Sequence, residues 1–347
     1  MSDVSKAAPA AGAAGTNPFE RAVRAIDMYQ QRHTPVAFVV AVIRKFGDDR
    51  GGTLATSLTY IAFVAVFPLL LLFVTILGFV LGSNQDAEDA VMRSALVDFP
   101  ILGDQLVRSL GSLRGSGVAL AVGVAGLVWG GFGVTQAAQH AMAEIWNVPG
   151  VHRANFVSRM VRGVVVLGLG GVGLVATSVL ASASTFTGEL TAGRVAAGAA
   201  SVALNVALFV AAFRITTVRA IPTRQLLAGA VIGGVAWTLL QAVGGYLVGH
   251  QLRNASQVYG FFATVLGLLS WIFLGTRVAL YAAETNVVLA RRLWPRSVVQ
   301  PPLTPADKQA LSDIVRQEER RPEQSVDVSF DDDTDDPAVR SEAPGDD

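Results

Sequence analysis

The sequence predicts an all-α polytopic membrane protein with six transmembrane helices, both termini in the cytoplasm and interfacial helices ahead of the first span. Three observations predict it. Of the 347 residues, 52% are hydrophobic and only 16% are charged, whereas soluble domains carry about a quarter charged residues. Several apolar runs reach the roughly 20 residues that a helix needs to cross a hydrocarbon core of about 30 Å. Basic residues crowd alternate loops, which sets orientation.

Taken in order, Met1 to Thr16 is Ala/Gly-rich and lacks the basic start and apolar middle of a secretory signal, so it is expected to be a disordered leader. Phe19 to Gln31 mixes apolar and charged residues at helical spacing, and Val36 to Phe46 is apolar but too short to span. Both are expected to lie in the membrane interface. The domain division that follows is a leader with a surface helix over 1–34, a six-span membrane domain over 35–292 and a polar, largely disordered cytoplasmic tail over 293–347.

The six spans are read at Leu54–Leu81, Gly117–Thr135, Val161–Ala183, Val195–Phe213, Leu226–Val248 and Val258–Leu280. The apolar pattern of the sixth runs on to Leu289; a helix of some 32 residues would be about 48 Å long and must tilt or project. Fifteen basic residues, from Arg21 to Arg50, Arg153 to Arg162, Arg214 to Arg224 and Arg291 to Arg296, flank one side. The other side holds five: Arg93, Arg108, Arg114, Arg194 and Arg253. With an even span count this asymmetry puts both termini inside. The one long external loop, Ser83 to Ser116, carries apolar residues at helical spacing and is expected to form a helical cap. In the tail, Thr304 is placed to N-cap a helix over Pro305 to Arg320.

The chain excludes much common chemistry. It has no cysteine, so disulfides, thiolate metal sites and a cysteine nucleophile are absent. No phosphate-binding GxxxxGK[ST] loop, GxSxG elbow or HExxH pair occurs. His140 and Glu144 sit one helical turn apart, but two ligands fall short of the three that a catalytic metal site usually needs. No catalytic, metal or cofactor residue is assigned. The arginines serve as membrane flanks rather than as a basic face with aromatic platforms, so no nucleic-acid partner is expected.

Polar residues inside the spans are few, and intramembrane ionisable groups are by default functional candidates because their burial is costly. They are Tyr60, Asn205, Gln241, Arg277, Glu284 and Asn286. Arg277, Tyr281 and Glu284 share one helical face, which makes that seam a candidate transport path; Arg277 at a membrane end would instead snorkel to the headgroups. Pro68, in the middle of the first span, removes a backbone hydrogen bond. It reads either as a hinge beside a path or as a packing kink. Small-xxx-small pairs at Gly78/Gly82, Gly126/Gly130, Gly229/Gly233 and Gly245/Gly249 predict close helix approach and leave homo-oligomerisation open.

SLTYIAFVAVFPLLLL in the first span, AAQHAMAEIWNV after the second, AGAVIGGVAWTLLQAVGGYLV in the fifth and ASQVYGFFATVLGLLSWIFLGTRVALYAAETNVVLA at the sixth together resemble the YihY/BrkB family of bacterial inner-membrane proteins. The resemblance covers about Pro35 to Arg292. It implies a six-helix, multi-pass protein of the bacterial plasma membrane with roles in envelope integrity or transport. The family's FPLL falls on Phe67 to Leu70, its YG on Tyr259 and Gly260, and its acidic AELN-like end on Ala283 to Asn286. Here that end has Thr285 at its third position, and Arg277 stands in a usually apolar stretch. Family members have also carried a ribonuclease label; the chain shows no acidic or histidine cluster able to hold the metals of two-metal phosphodiester cleavage. The expectation is a non-enzymatic transporter or lipid-translocating factor acting on an anionic lipid or solute, with membrane lipids as its surroundings. The alternative is a scaffold that binds cytoplasmic partners through its tails.

Overall fold

The computed structural model describes residues 18–81, 117–150, 156–186, 191–217, 221–251, 260–300 and 302–330. Every described element is helical: α1 Pro18–Arg32, α2 Thr34–Asp48, α3 Gly51–Leu81, α4 Gly117–Ile145, α5 Phe156–Phe186, α6 Thr191–Thr216, a 3-10 turn Thr223–Gln225, α7 Leu227–Gln251, α8 Gly260–Arg291 and α9 Pro305–Arg316. Among the described residues, five helices are long and apolar enough to cross a membrane: α3, α4, α6, α7 and α8. α5 is itself 31 residues long. The helical cap expected over Ser83 to Ser116, Tyr259 and the acidic end of the tail lie outside the described residues.

The long helices pack in chain order, α3 on α4, α4 on α5, α5 on α6, α6 on α7 and α7 on α8, and α8 returns to α3 to close the ring. α2 lies against α8, and α1 against α2. Apolar side chains point outward as well as inward; Trp129 of α4, Val164 of α5 and Leu239 of α7 are exposed. Hydrocarbon solvates such a surface at no hydrophobic cost, so association must come from close packing instead.

Glycine supplies that packing. A Cβ on Gly126 would stand 2.6 Å from Pro68 Cβ, and one on Gly130 would stand 3.0 Å from Ala65 Cβ. α3 runs as one helix through Pro68, and its proline ring rests in the notch of the Gly126/Gly130 pair. At Gly229 a Cβ would stand 2.0 Å from the Ala282 carbonyl oxygen, and at Gly233 2.9 Å from Ala282 Cβ. Two of the four small-residue pairs thus seat α3 on α4 and α7 on α8.

Helix boundaries differ from the sequence reading mainly by extension. α4 continues to Ile145, ten residues past the expected end at Thr135, because QAAQHAMAEI is rich in helix formers and holds no breaker. It stops where Asn147 adopts φ 44°. Arg50 and Arg292, each at φ 55°, end α2 and α8 in the same left-handed way, the usual geometry of a helix C-terminus.

The tail departs most from expectation. The described residues 293–300 and 302–320 do not hang free, as a largely disordered tail would; they are hydrogen-bonded to α1, α2, α4 and α8. The physical reason is a set of buried polar anchors. α9 is opened by a capping box, with Asp307 N–H donating to Thr304 Oγ1 and Thr304 N–H donating to Asp307, and it ends at Arg316 rather than Arg320.

Candidate functional site

Both buried charge clusters form where α2, α4, α8 and α9 meet. The first centres on α8. Ala282 to Val288 cover every side of the helix and are all buried, because α2, α4 and α7 surround this end of it. Glu284 is 0% exposed, and neither carboxyl oxygen has a hydrogen-bond donor. Lys45 of α2, 1% exposed, approaches Glu284 Oε2 at 3.8 Å. Its ammonium also donates to the Ile145 carbonyl at 3.0 Å and pairs closely with Asp49 one turn on. Burial pushes the Asp49 carboxyl up, against the downward pull of Lys45.

α2 is shaped for this position. Ala37, Ala41, Val42, Lys45 and Phe46 face the bundle, while Val36, Val39 and Ile43 on its other side are exposed. Arg44 and Asp48 lie off this stripe and are partly exposed, so Lys45 is the one charge of α2 that is fully buried.

The second cluster ties the tail down. Arg296, 1% exposed, donates through Nε to Asp307 at 2.5 Å and through Nη2 to Asp48 at 2.8 Å. Asp307 also accepts from Ser297 N–H at 3.0 Å and Ser297 Oγ at 2.7 Å. Burial alone would raise its pKa; the Ser297 hydroxyl, Arg296 and the Ser297 and Thr304 amides outweigh it and hold the carboxyl down to about 2. Asp27 of α1 accepts from the amides of Val298 and Val299, and Gln30 donates to the Arg296 carbonyl. Arg291 joins α8 to α9 through Asp313 at 2.7 Å and to α4 through Asn147 at 3.2 Å.

Of the seam residues, Arg277 and Tyr281 stay together and Glu284 does not join them. The Arg277 guanidinium lies 5.6 Å from the Phe46 ring and 5.7 Å from the Phe273 and Tyr281 rings, with Nη2 donating to the Tyr281 hydroxyl at 3.4 Å. Phe46 stacks on Tyr281 at 4.1 Å. Among the described residues no carboxylate lies within ion-pair distance of Arg277. Asn286 accepts from Gly229 N–H at 2.7 Å, leaving its Nδ2 unpartnered. Asn205 of α6 donates to Thr238 at 2.9 Å and Gln241 at 3.2 Å on α7, a separate interhelical contact. Tyr60 is 67% exposed, on an outward face of α3. Tyr60, Asn205 and Gln241 are therefore not part of the α8 cluster.

Sequence reasoning assigned Lys45 and Arg296 to basic flanks and left Asp49 and Asp307 unnoticed. A lone lysine inside an otherwise apolar stripe at Val42, Lys45 and Phe46 is the signal that could have found the first; the T-P-A-D spacing of a capping box is the signal for Asp307. For metal, no group of three His, Cys, Asp or Glu side chains occurs among the described residues, and His140 faces Glu144 at 3.8 Å with its side chain 56% exposed.

A family model described as virulence factor BrkB matches residues 42–306. The chain belongs to the BrkB family. The matched segment contains both Lys45 and Glu284 as well as the Arg296–Asp48 pair, and ends one residue before Asp307. The chain is similar to a UPF0761 membrane protein of Pseudomonas aeruginosa, 27% identical over 276 residues that cover 75% of this chain and 65% of that protein. It is also similar to UPF0761 membrane proteins of Alcanivorax borkumensis, 25% identical over 72% of this chain and 59% of the relative, and of Acinetobacter baylyi, 24% identical over 73% and 62%. The chain thus spans about two thirds or less of the length of these relatives. No solved structure matches it. With its apolar helices, the BrkB-family chain is a membrane protein.

Proposed function

We propose that this BrkB-family protein is a six-span protein of the bacterial inner membrane, with both termini cytoplasmic, that translocates an anionic lipid or solute without catalysing a reaction. α5, long and apolar in sequence, supplies the sixth span and completes the ring. The arginine asymmetry supports the orientation, since the α1, α2 and α9 end also holds Arg291, Arg292 and Arg296.

One observation carries the functional reading: Arg277, within the membrane helix α8, has three aromatic rings around it and no carboxylate partner among the described residues. A guanidinium at such a place retains donors suited to phosphate or carboxylate in a forked geometry, and burial makes an uncompensated charge costly. An anionic headgroup or solute supplies the missing charge. Glu284, two turns further along the same face, gives the same helix a second ionisable group at depth.

The test is translocation in vesicles. The purified protein is reconstituted with a trace of fluorescent phosphatidylglycerol, and an impermeant reductant quenches the outer-leaflet label. Wild-type vesicles should lose fluorescence beyond the outer-leaflet share, and Arg277→Leu vesicles should stop there. If wild-type vesicles move neither this lipid nor entrapped phosphate faster than protein-free vesicles do, the transport reading falls and the scaffold reading replaces it.

A further inference from the structure

The junction of α2, α4 and α8 poses an imbalance. Two carboxyls, Asp49 and Glu284, face one ammonium, Lys45, and the Lys45 and Glu284 side chains are 1% and 0% exposed. Lys45 can compensate one of them. It commits its donors to Asp49 and to the Ile145 carbonyl and stays 3.8 Å from Glu284, beyond hydrogen-bond distance. Both Glu284 oxygens are left without a donor, although the Asp49 carboxyl lies beside them. Two ionised carboxylates in contact offer each other only lone pairs.

We infer that Asp49 and Glu284 form a binding site for one proton, held between the two carboxyls with Lys45 as the fixed countercharge. One proton supplies the donor that the Glu284 oxygens lack and brings the cluster to neutrality, with one carboxylate against one ammonium. Carboxyls held side by side share a proton because both cannot ionise cheaply. A larger cation fits poorly: calcium takes six to eight oxygen ligands and magnesium an octahedral set, and no group of three acidic or histidine side chains is present among the described residues. Among the described residues the remaining facing groups supply no second cation. Asp48 on α2 shares Arg296 with Asp307, at 2.8 and 2.5 Å, the end of α4 and the turn after it present the Ile145 carbonyl and the Asn147 amide, and α7 presents the Gly229 backbone to neighbouring Asn286. The upward displacement of the Asp49 carboxyl by burial agrees with the site.

The site belongs to α2 and α8 jointly, since Asp49 and Lys45 sit on one and Glu284 on the other. Loss of the proton leaves two negative charges against one positive at the contact, so proton occupancy holds α2 to α8. This makes the proton the coupling ion for any movement of that contact. The site stands on this geometry and not on translocation: a protein that binds the proton but moves no lipid would defeat the transport reading alone.

Infrared difference spectroscopy on the purified full-length chain reads the site directly. At neutral pH the wild type should show one protonated-carboxyl C=O band, lost in both Glu284→Gln and Asp49→Asn and kept in Lys45→Met. A wild type with no such band at neutral pH, or a band that survives both acid substitutions, overturns the proposal. Should the variants not fold, dicyclohexylcarbodiimide applied to the wild type gives the answer by mass spectrometry, because it adds to protonated buried carboxyls. An adduct at Glu284 or Asp49 supports the site; modification elsewhere with none at these two residues overturns it.

Discussion

The α6–α7 contact and the α2–α4–α8–α9 junction both bury polar groups, but they solve the problem in opposite ways. At the first, Asn205 finds Thr238 and Gln241, Thr238 also donates to the Gly234 carbonyl at 2.8 Å, and every group is neutral. At the second, Lys45, Glu284, Arg296 and Asp307 are buried as potential charges, and Glu284 and Arg296 Nη1 still lack partners. A satisfied neutral network joins two helices at little cost. Buried charges are weak stabilisers at best, because desolvation rivals their attraction. Apolar residues of the same volume would pack the junction at least as stably.

The largest effect that should separate the regions is at Arg296. Arg296→Met leaves Asp307 and Asp48 without their cation, and removal of one partner from a buried pair costs about 3–5 kcal/mol. Denaturant unfolding in detergent should show this loss. If Arg296→Met unfolds like the wild type, the tail is not anchored through this pair.

Asp307 gives the next effect through pH. Its folded pKa of about 2 lies below the ordinary value of 3.8, so its stabilisation is complete above the unfolded value and disappears as the pH falls through the folded one. The shift corresponds to about 2 kcal/mol, lost between pH of about 4 and 2. Proteolysis of the tail between α8 and α9 should accelerate over that window, and Asp307→Asn should remove the acid dependence. A wild-type tail equally protected at both ends of the window would contradict the assignment.

These two predictions concern residues that local pattern could not pair. The long helices were legible because apolar runs and their flanking arginines report directly on lipid burial. Their ends were less so, since α4 continues through residues that suit water and membrane edge alike. Glu284 could be singled out as an ionisable group in an apolar context. Lys45 could not, as its contact spans 239 positions and its charge looks like any membrane flank. The tail's composition suggested disorder, and its few buried anchors, Arg296, Ser297 and Asp307, are invisible to composition. Tyr60 shows the opposite error: a polar side chain in a span drew attention, but α3 turns it outward.

At the α6–α7 contact the expected effect is small. Asn205→Leu removes two neutral hydrogen bonds, and interhelical bonds of this kind average about 0.6 kcal/mol in membranes. Thermal unfolding should shift slightly, and a loss as large as that of Arg296→Met would mean that the neutral network is structural in a way its geometry does not suggest.

The most direct measurement sets the two regions side by side in one assay. Wild type, Arg277→Leu and Asn205→Leu are reconstituted at equal density and their anionic-lipid translocation rates compared, with folding checked by size-exclusion chromatography. The account predicts that Asn205→Leu keeps the wild-type rate while Arg277→Leu, equally folded, falls to that of protein-free vesicles. Equal rates for Arg277→Leu and wild type would contradict it.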